Sequence, residues 1–297
     1  MERESRAIFF LRHKCASMWL SAIAERACAL MGRSYVYFFR STRWGENFVD
    51  FYRRTSYEVI GCANAKIEEV RQLIDFRAVH VFRDPRDMIV SAYFSHRNTH
   101  WYKPGTEAWA HQERLRQVPK DEGLALEIAY SERYLRPWMS WDFSMPHVLE
   151  LKFEEVTARP YESVLRMFAF LGLLDEAEWP WWQQLIDTPR FVWNRLTRRW
   201  GGFGRWPRHR IPAEKLLGIV HALQFARLAR RPKGQEDPTS HYRKGQPGDW
   251  RNHFTEEHVA AFKEKFGDLV VRLGYEPDND WGLTPREPVA QTPTAPR

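Results

Sequence analysis

An apolar run that stops on an arginine and restarts as a helix three residues later constrains this chain more than any other feature. Ala78-Val79-His80-Val81-Phe82 has the continuous apolar character of a buried parallel strand. Arg83 follows it. Asp84 is a good helix N-cap, and Pro85 suits the first helical position. Residues 86–97 then carry Met88, Ile89, Ala92, Tyr93 and Phe94 at helical spacing. The same grammar opens the chain, where Ala7-Ile8-Phe9-Phe10-Leu11 precedes a helix over 17–31. It recurs at Val148–Lys152, followed by a helix over Tyr161–Leu171 that Gly172 stops. Strands alternating with helices predict an α/β fold in three layers, α/β/α, with a mainly parallel sheet. We read one domain over 1–281.

The segment 175–210 differs. Trp179, Trp181, Trp182, Trp193, Trp200 and Trp206 fall there, six of the fourteen tryptophans, among seven arginines. This predicts a loop-rich insertion, either a satellite core or a wall for an acceptor. A helix is expected at about 213–230. Another should run from Thr255, an N-cap followed by Glu256 and Glu257, to Leu273, where Gly274 ends it. Residues 282–297, rich in Pro and Thr, read as a disordered tail.

Of the 297 residues, 43% are hydrophobic, enough for a sizeable core, and the net charge is +7. That charge calls for an anionic partner, whether nucleotide, nucleic acid, acidic glycan or membrane surface. Cys15, Cys28 and Cys62 are odd in number and lack metal-ligand spacing, which favours a reducing compartment. The charged N-terminus is no signal peptide, and no apolar run reaches the ~20 residues of a membrane span. The expectation is a cytoplasmic protein.

Three segments suit phosphate. Arg12-His13-Lys14-Cys15-Ala16-Ser17-Met18-Trp19 is a strand-to-helix turn, which offers backbone N–H groups, a helix N-terminus and the Lys14 charge. It lacks the Gly-x-x-x-x-Gly-Lys-[Ser/Thr] pattern and any obvious carboxylate for magnesium, which weighs against a kinase. Arg83 stands at a strand's carboxyl end, where open α/β sheets bind ligands, and Ser91 follows two helical turns later. Far along the chain, Tyr242-Arg243-Lys244-Gly245-Gln246-Pro247-Gly248-Asp249-Trp250 adds two cations and a flexible backbone N–H. Together they suit a terminal phosphate dianion.

On these three segments the chain resembles the sulfotransferases that use 3′-phosphoadenosine 5′-phosphosulfate (PAPS). HKCASMW resembles the family's phosphosulfate loop PKSGTTW, keeping Lys14 and Trp19 but departing at His13, Cys15, Ala16, Ser17 and Met18. FRDPRDMIVSAYFSH is similar to the 3′-phosphate strand and helix, with Arg83 and Ser91 in register. YRKGQPGDWRNHFT is similar to the C-terminal loop. The resemblance implies PAPS as donor, adenosine 3′,5′-bisphosphate (PAP) as product and no metal. Lys14 would meet the bridging oxygen, and the N–H groups of Cys15, Ala16, Ser17, Met18 and Trp19 would cradle the phosphosulfate. Trp19 and Phe225 would sandwich adenine, with Phe153 where the family often has a base-contacting Tyr. Arg83, Ser91, Arg243, Lys244 and Gly245 would hold the 3′-phosphate.

Family members typically carry Lys-Thr-His after a middle strand, and this chain has Gly61-Cys62-Ala63-Asn64-Ala65 there. For the base, Glu46 is preferred, with Glu58, His96, His100 and His253 as further candidates. The expected partners are a small-molecule, lipid-like or carbohydrate acceptor, not nucleic acid, with a homodimer or a membrane surface as further options. Two rival readings stay open, a nucleotide-binding relative without turnover and a basic nucleic-acid-binding protein.

Overall fold

The computed structural model describes residues 5–39, 47–175, 181–197, 206, 208–232, 234–240, 243–244 and 246–284, apart from the side chains of 181–187 and 195. Strand β1 (Arg6–Leu11) passes through a tight turn into α1 (Ser17–Met31). Then come β2 (Tyr35–Phe38), α2 (Phe48–Arg54), β3 (Val59–Ala63), the single turn α3 (Ile67–Val70) and β4 (Phe76–Phe82). A block of four helices follows, α4 (Pro85–Asn98), α5 (Glu107–Gln117), α6 (Lys120–Tyr130) and α7 (Glu132–Met139). Next are β5 (Val148–Lys152), α8 (Phe153–Ala158), α9 (Pro160–Phe170) and β6 (Leu174–Asp175). The rest comprises α10 (Trp181–Thr197), β7 (Ile211–Pro212), α11 (Ala213–Ala222), α12 (Phe225–Ala229), a 3₁₀ turn at Asp249–Asn252, α13 (Glu256–Phe266) and α14 (Leu269–Arg272).

The main sheet is wholly parallel, in the order β2-β3-β1-β4-β5. Side chains alternate across it with the strand's period of two. Ala7, Phe9 and Leu11 enter one core with α1, α4 and α9, while Ile8 and Phe10 enter the other with Phe48 and Phe51 of α2. Both faces are covered, which gives the α/β/α sandwich that the alternation of elements predicts. From β1 the chain builds β2 and β3 on one side, then crosses to β4 on the other. The carboxyl ends of β1 and β4 therefore meet at a topological switch point, where such sheets open a crevice for ligand.

Three local expectations are corrected. Among the described residues of the 175–210 segment a helix predominates, since α10 occupies Trp181–Thr197 with Pro189 inside it. It packs on α1 through Asn194, whose amide bonds the Leu30 carbonyl and both backbone groups of Trp206. The helix expected over 213–230 breaks at Leu223-Gln224, where Gln224 turns extended. The helix from Thr255 to Leu273 breaks at Gly267, whose φ of 54° and ψ of −124° no helix continues. Thr255 does cap α13, and His258 completes the capping box. Of the tail expected over 282–297, residues 285–297 lie outside the described residues.

Candidate active site

The turn between β1 and α1 is built on two left-handed residues, Lys14 (φ 59°) and Ala16 (φ 58°). Non-glycine residues reach this region at a cost of about 1–2 kcal/mol each. The bend is tied down around them. Arg12, fully buried, donates to His80 Nε2 (2.7 Å) and to the Ala65 carbonyl (2.7 Å). His13 N–H donates to Asn64 Oδ1 at 3.0 Å. Helix α1 begins with no side-chain cap, so its first N–H groups stay open to a ligand. Ala16, Ser17, Met18 and Trp19 line a cavity of ≈ 630 Å³ above the sheet, together with Lys14. Cys15 departs from its expected role. Its N–H is spent on the Arg12 carbonyl, and its side chain is fully buried and not among the cavity's lining residues.

Arg83 continues β4 into the same cavity and donates to the Lys14 carbonyl (3.2 Å), with its guanidinium over the Phe153 ring. Phe153 thus supports Arg83 from below as well as lining the cavity. Asp84 caps α4 by accepting from Arg86 N, with Pro85 at the helix start. Ser91, two turns along α4, also faces the cavity.

The distant basic loop reaches this place through Asp87. Its buried carboxylate accepts from the N–H groups of Gly248 (2.5 Å) and Trp250 (2.9 Å). Arg86 completes the clasp, paired with Asp84 and Glu276 and stacked on Trp250 and Trp281. Arg243 and Lys244 are thereby delivered to the cavity. Arg243 bonds Glu236 and Asp249 (2.6 Å each), and Lys244 bonds Asp249. Burial alone would raise the Asp249 carboxyl, but bonds from His253, Lys244, Asn252 and Arg243 hold it well below the usual carboxylate range. One donor on each arginine is left over, since Arg83 Nε and Arg243 Nε are buried without a hydrogen-bond partner. Both arginines line the one cavity, and a buried donor left unpaired costs about 1–3 kcal/mol. Gly245 lies outside the described residues.

The Lys14 ammonium feels the same surroundings. Burial, then the Arg83 and Arg243 charges, outweigh the opposing Glu127 and lower its pKa to about 7. Trp19 donates its indole N–H to the Leu223 carbonyl at 2.8 Å. That carbonyl is exposed by the break before α12, so Phe225 is brought to the cavity wall near Trp19.

The other end of the cavity is aromatic and carries no carboxylate among its lining residues. Tyr37, Phe39, Tyr102 and Tyr134 line it with His13, Asn64 and His100. His13 stacks between Tyr134 (4.3 Å) and His96 (5.2 Å). Behind this wall, Glu127 is buried and hydrogen-bonded to His96 (3.0 Å) and His111 (2.8 Å). Burial pushes its carboxyl up, and the two imidazoles more than offset this and keep it ionised. These three groups, on α4, α5 and α6, bring metal-capable atoms within 4.8 Å of one another. Their separations are those of ordinary N–H···O bonds.

Residues 70–183 match the sulfotransferase domain family. Cytosolic sulfotransferase 17 of Arabidopsis thaliana is 24% identical over 212 residues, 64% of this chain and 49% of its own length. The chain thus spans about half the length of that curated relative. Among solved structures, mouse sulfotransferase SULT7A1 complexed with PAP superposes with a TM-score of 0.48 at 17% identity, over 90% of this chain and 85% of the other. Retinol dehydratase in complex with androsterone and inactive cofactor PAP gives a TM-score of 0.46 at 13% identity, over 91% and 82%.

The structure separates the base candidates. Glu46 lies outside the described residues. Glu58 is engaged by Arg33 and Ser34. His96 is fully buried against Glu127, and His253 bonds Asp249. Of the described candidates His100 alone lines the cavity. Asn64 stands after β3, and His13, Tyr37, Phe39, Tyr102 and Tyr134 were not anticipated as wall residues. Only His13 carried a signal, since it replaces a proline in the loop. None of the described residues between 188 and 210 lines the cavity, so they form no acceptor wall there.

Proposed function

We propose that the protein transfers a sulfuryl group from PAPS to an acceptor hydroxyl. The observation that carries this reading is that two sets of cationic groups line one cavity, Arg83 with Arg243 and Lys244, and Lys14 with the α1 N-terminus. One nucleotide with phosphates at two ends accounts for both. In this reading Arg83, Ser91, Arg243 and Lys244, with Gly245 beside them, hold the 3′-phosphate, and Trp19 and Phe225 flank adenine. Lys14 neutralises the leaving 5′-phosphate oxygen. Sulfuryl transfer, like phosphoryl transfer, needs chiefly in-line positioning and charge stabilisation at the leaving group. The aromatic far end suits a small alcohol, phenol or lipid-like acceptor better than a sugar or a protein tyrosine.

Calorimetric titration with PAP, using 5′-AMP as control, tests the reading. Micromolar binding that vanishes without the 3′-phosphate supports it. Equal binding of both nucleotides, or of neither, removes it. A second reading, nucleotide binding without transfer, is favoured by Asn64, whose carboxamide accepts no proton near neutral pH. PAP binding with no sulfate transfer across a broad acceptor panel would select it.

A further inference from the structure

An acceptor hydroxyl must lose its proton as it attacks sulfur, and the donor end of the cavity provides cations rather than bases. At the far end, His100 follows α4 and lines the cavity with Lys14, Asn64 and Tyr134. Its Nδ1 lies 2.7 Å from Ser95 Oγ and 3.3 Å from the Ser95 carbonyl. Ser95 Oγ is 2.9 Å from Thr99 Oγ1, and Thr99 Oγ1 donates to the Ser95 carbonyl at 3.1 Å.

These bonds can be made together in one way only. A carbonyl only accepts, so the Thr99 proton is spent on it. Thr99 Oγ1 must then accept from Ser95, and the Ser95 proton is spent as well. Ser95 Oγ must therefore accept from His100 Nδ1–H, in agreement with the second contact of Nδ1 to the same carbonyl. A neutral imidazole protonated at Nδ1 keeps its lone pair on Nε2.

We propose that His100 Nε2 is the general base, and that Ser95 and Thr99 position it by fixing this tautomer. The proposal rests on the sulfuryl-transfer reading above. The acceptor O–H proton passes to Nε2 while the oxygen's electron pair forms the new O–S bond. The S–O bond to the 5′-phosphate breaks, and its electron pair leaves on the phosphate oxygen beside Lys14. Titratable or charged groups against the ring, or lining the cavity with it, come from four elements. His13 and Lys14 come from the β1–α1 turn, His96 from α4, Tyr102 from the loop beyond, and Tyr134 from α7. Glu127 and Tyr130 of α6 and His111 of α5 stand behind His96. The Tyr102 ring lies parallel to His100, at 5.5 Å and 9°.

Two measurements test it. Nitrogen-15 correlation NMR of the PAP complex, with the His100 signals assigned by their loss in His100→Gln, should show neutral His100 protonated at Nδ1. Protonation at Nε2 overturns the proposal whatever the acceptor. Turnover is read as PAP released from PAPS with 2-naphthol. His100→Gln should lower kcat about 10²–10⁴-fold and abolish the acidic limb of the pH profile. PAP affinity should stay within twofold. Ser95→Ala should lower kcat less, with the tautomer mixed. Retention of the acidic limb in His100→Gln, or its loss in His13→Asn instead, also overturns it. Loss of PAP specificity for the wild-type protein would strike the sulfuryl-transfer reading itself, whereas a misassigned base leaves that specificity intact.

Discussion

The two ends of the cavity are built by opposite means. The end proposed for the nucleotide is charged and assembled from segments 160 residues apart, Arg83 and Arg243, held by carboxylates that do not line the cavity. The end proposed for the acceptor is aromatic and largely uncharged, and comes from the β1–α1 turn, the carboxyl ends of β2 and β3, the loop after α4, and α7. Gripping a phosphate requires donors in fixed directions, which leaves a recognisable residue pattern. Enclosing an apolar acceptor requires only shape, which many side chains provide. One end is therefore written as motif and the other as packing.

The largest expected break in this contrast comes from Lys14→Ala. Turnover should fall at least 10²–10³-fold, since one donor to the leaving oxygen is lost, while the Kd for PAP rises less than tenfold. PAP release from PAPS and calorimetry together separate the two effects. A loss confined to binding would place Lys14 elsewhere.

Arg83→Ala should come next. Charge-assisted hydrogen bonds contribute about 1.5–3 kcal/mol, so PAP affinity should drop about 10–100-fold. Adenosine 5′-phosphosulfate, which has no 3′-phosphate, should bind within twofold of wild type. Equal weakening of both ligands would erase the assignment of Arg83 to the 3′ end.

A smaller effect should appear in proton uptake. With its pKa at about 7 in this state, Lys14 is mostly neutral at pH 8. A bound anion favours the ammonium and raises that pKa. Binding at pH 8 should therefore take up close to one proton, and binding at pH 6 almost none. PAP affinity should fall as pH rises through 7. Binding enthalpies in phosphate and Tris buffers at both pH values measure the uptake, and Lys14→Met should remove it.

Ala16→Gly should have the smallest effect. It relieves a left-handed Cβ (φ 58°) at the price of a more flexible unfolded chain. A net gain of up to ~1 kcal/mol is expected, read as a rise of up to about 2 °C in Tm.

The contrast also explains what could be read from the sequence. The strand read at Ala78–Phe82, which begins at Phe76 in the structure, its Asp84 cap and Pro85 were legible because each residue has a local reason to be there. The buried β1 and the register of Arg83 with Ser91 were legible for the same reason. The helices α5 to α7 were not, although they supply Tyr134 and the buried Glu127 behind His96. Their sequence is polar, and only tertiary contact selects their inner face. Helix α10 was hidden by Pro189 and by clustered tryptophans that suggested loop. The Leu223-Gln224 break has no glycine or proline to announce it, yet it frees the carbonyl that fixes Trp19.

The Asp87 clasp carries a consequence for synthesis. On the ribosome, the partners of this carboxylate, Gly248 and Trp250, are made more than 150 residues after it. Until they emerge, α4 holds a carboxylate destined for burial, and Arg243 has no seat. A nascent chain can complete its main sheet long before Arg243 and Lys244 join the cavity, so the proposed ligand site is assembled late. Ribosome-bound chains ending near residue 240 should retain no PAP, and those extended past residue 284, beyond the exit tunnel, should do so. In this molecule ligand binding would report that synthesis has passed the basic loop that ends at Trp250.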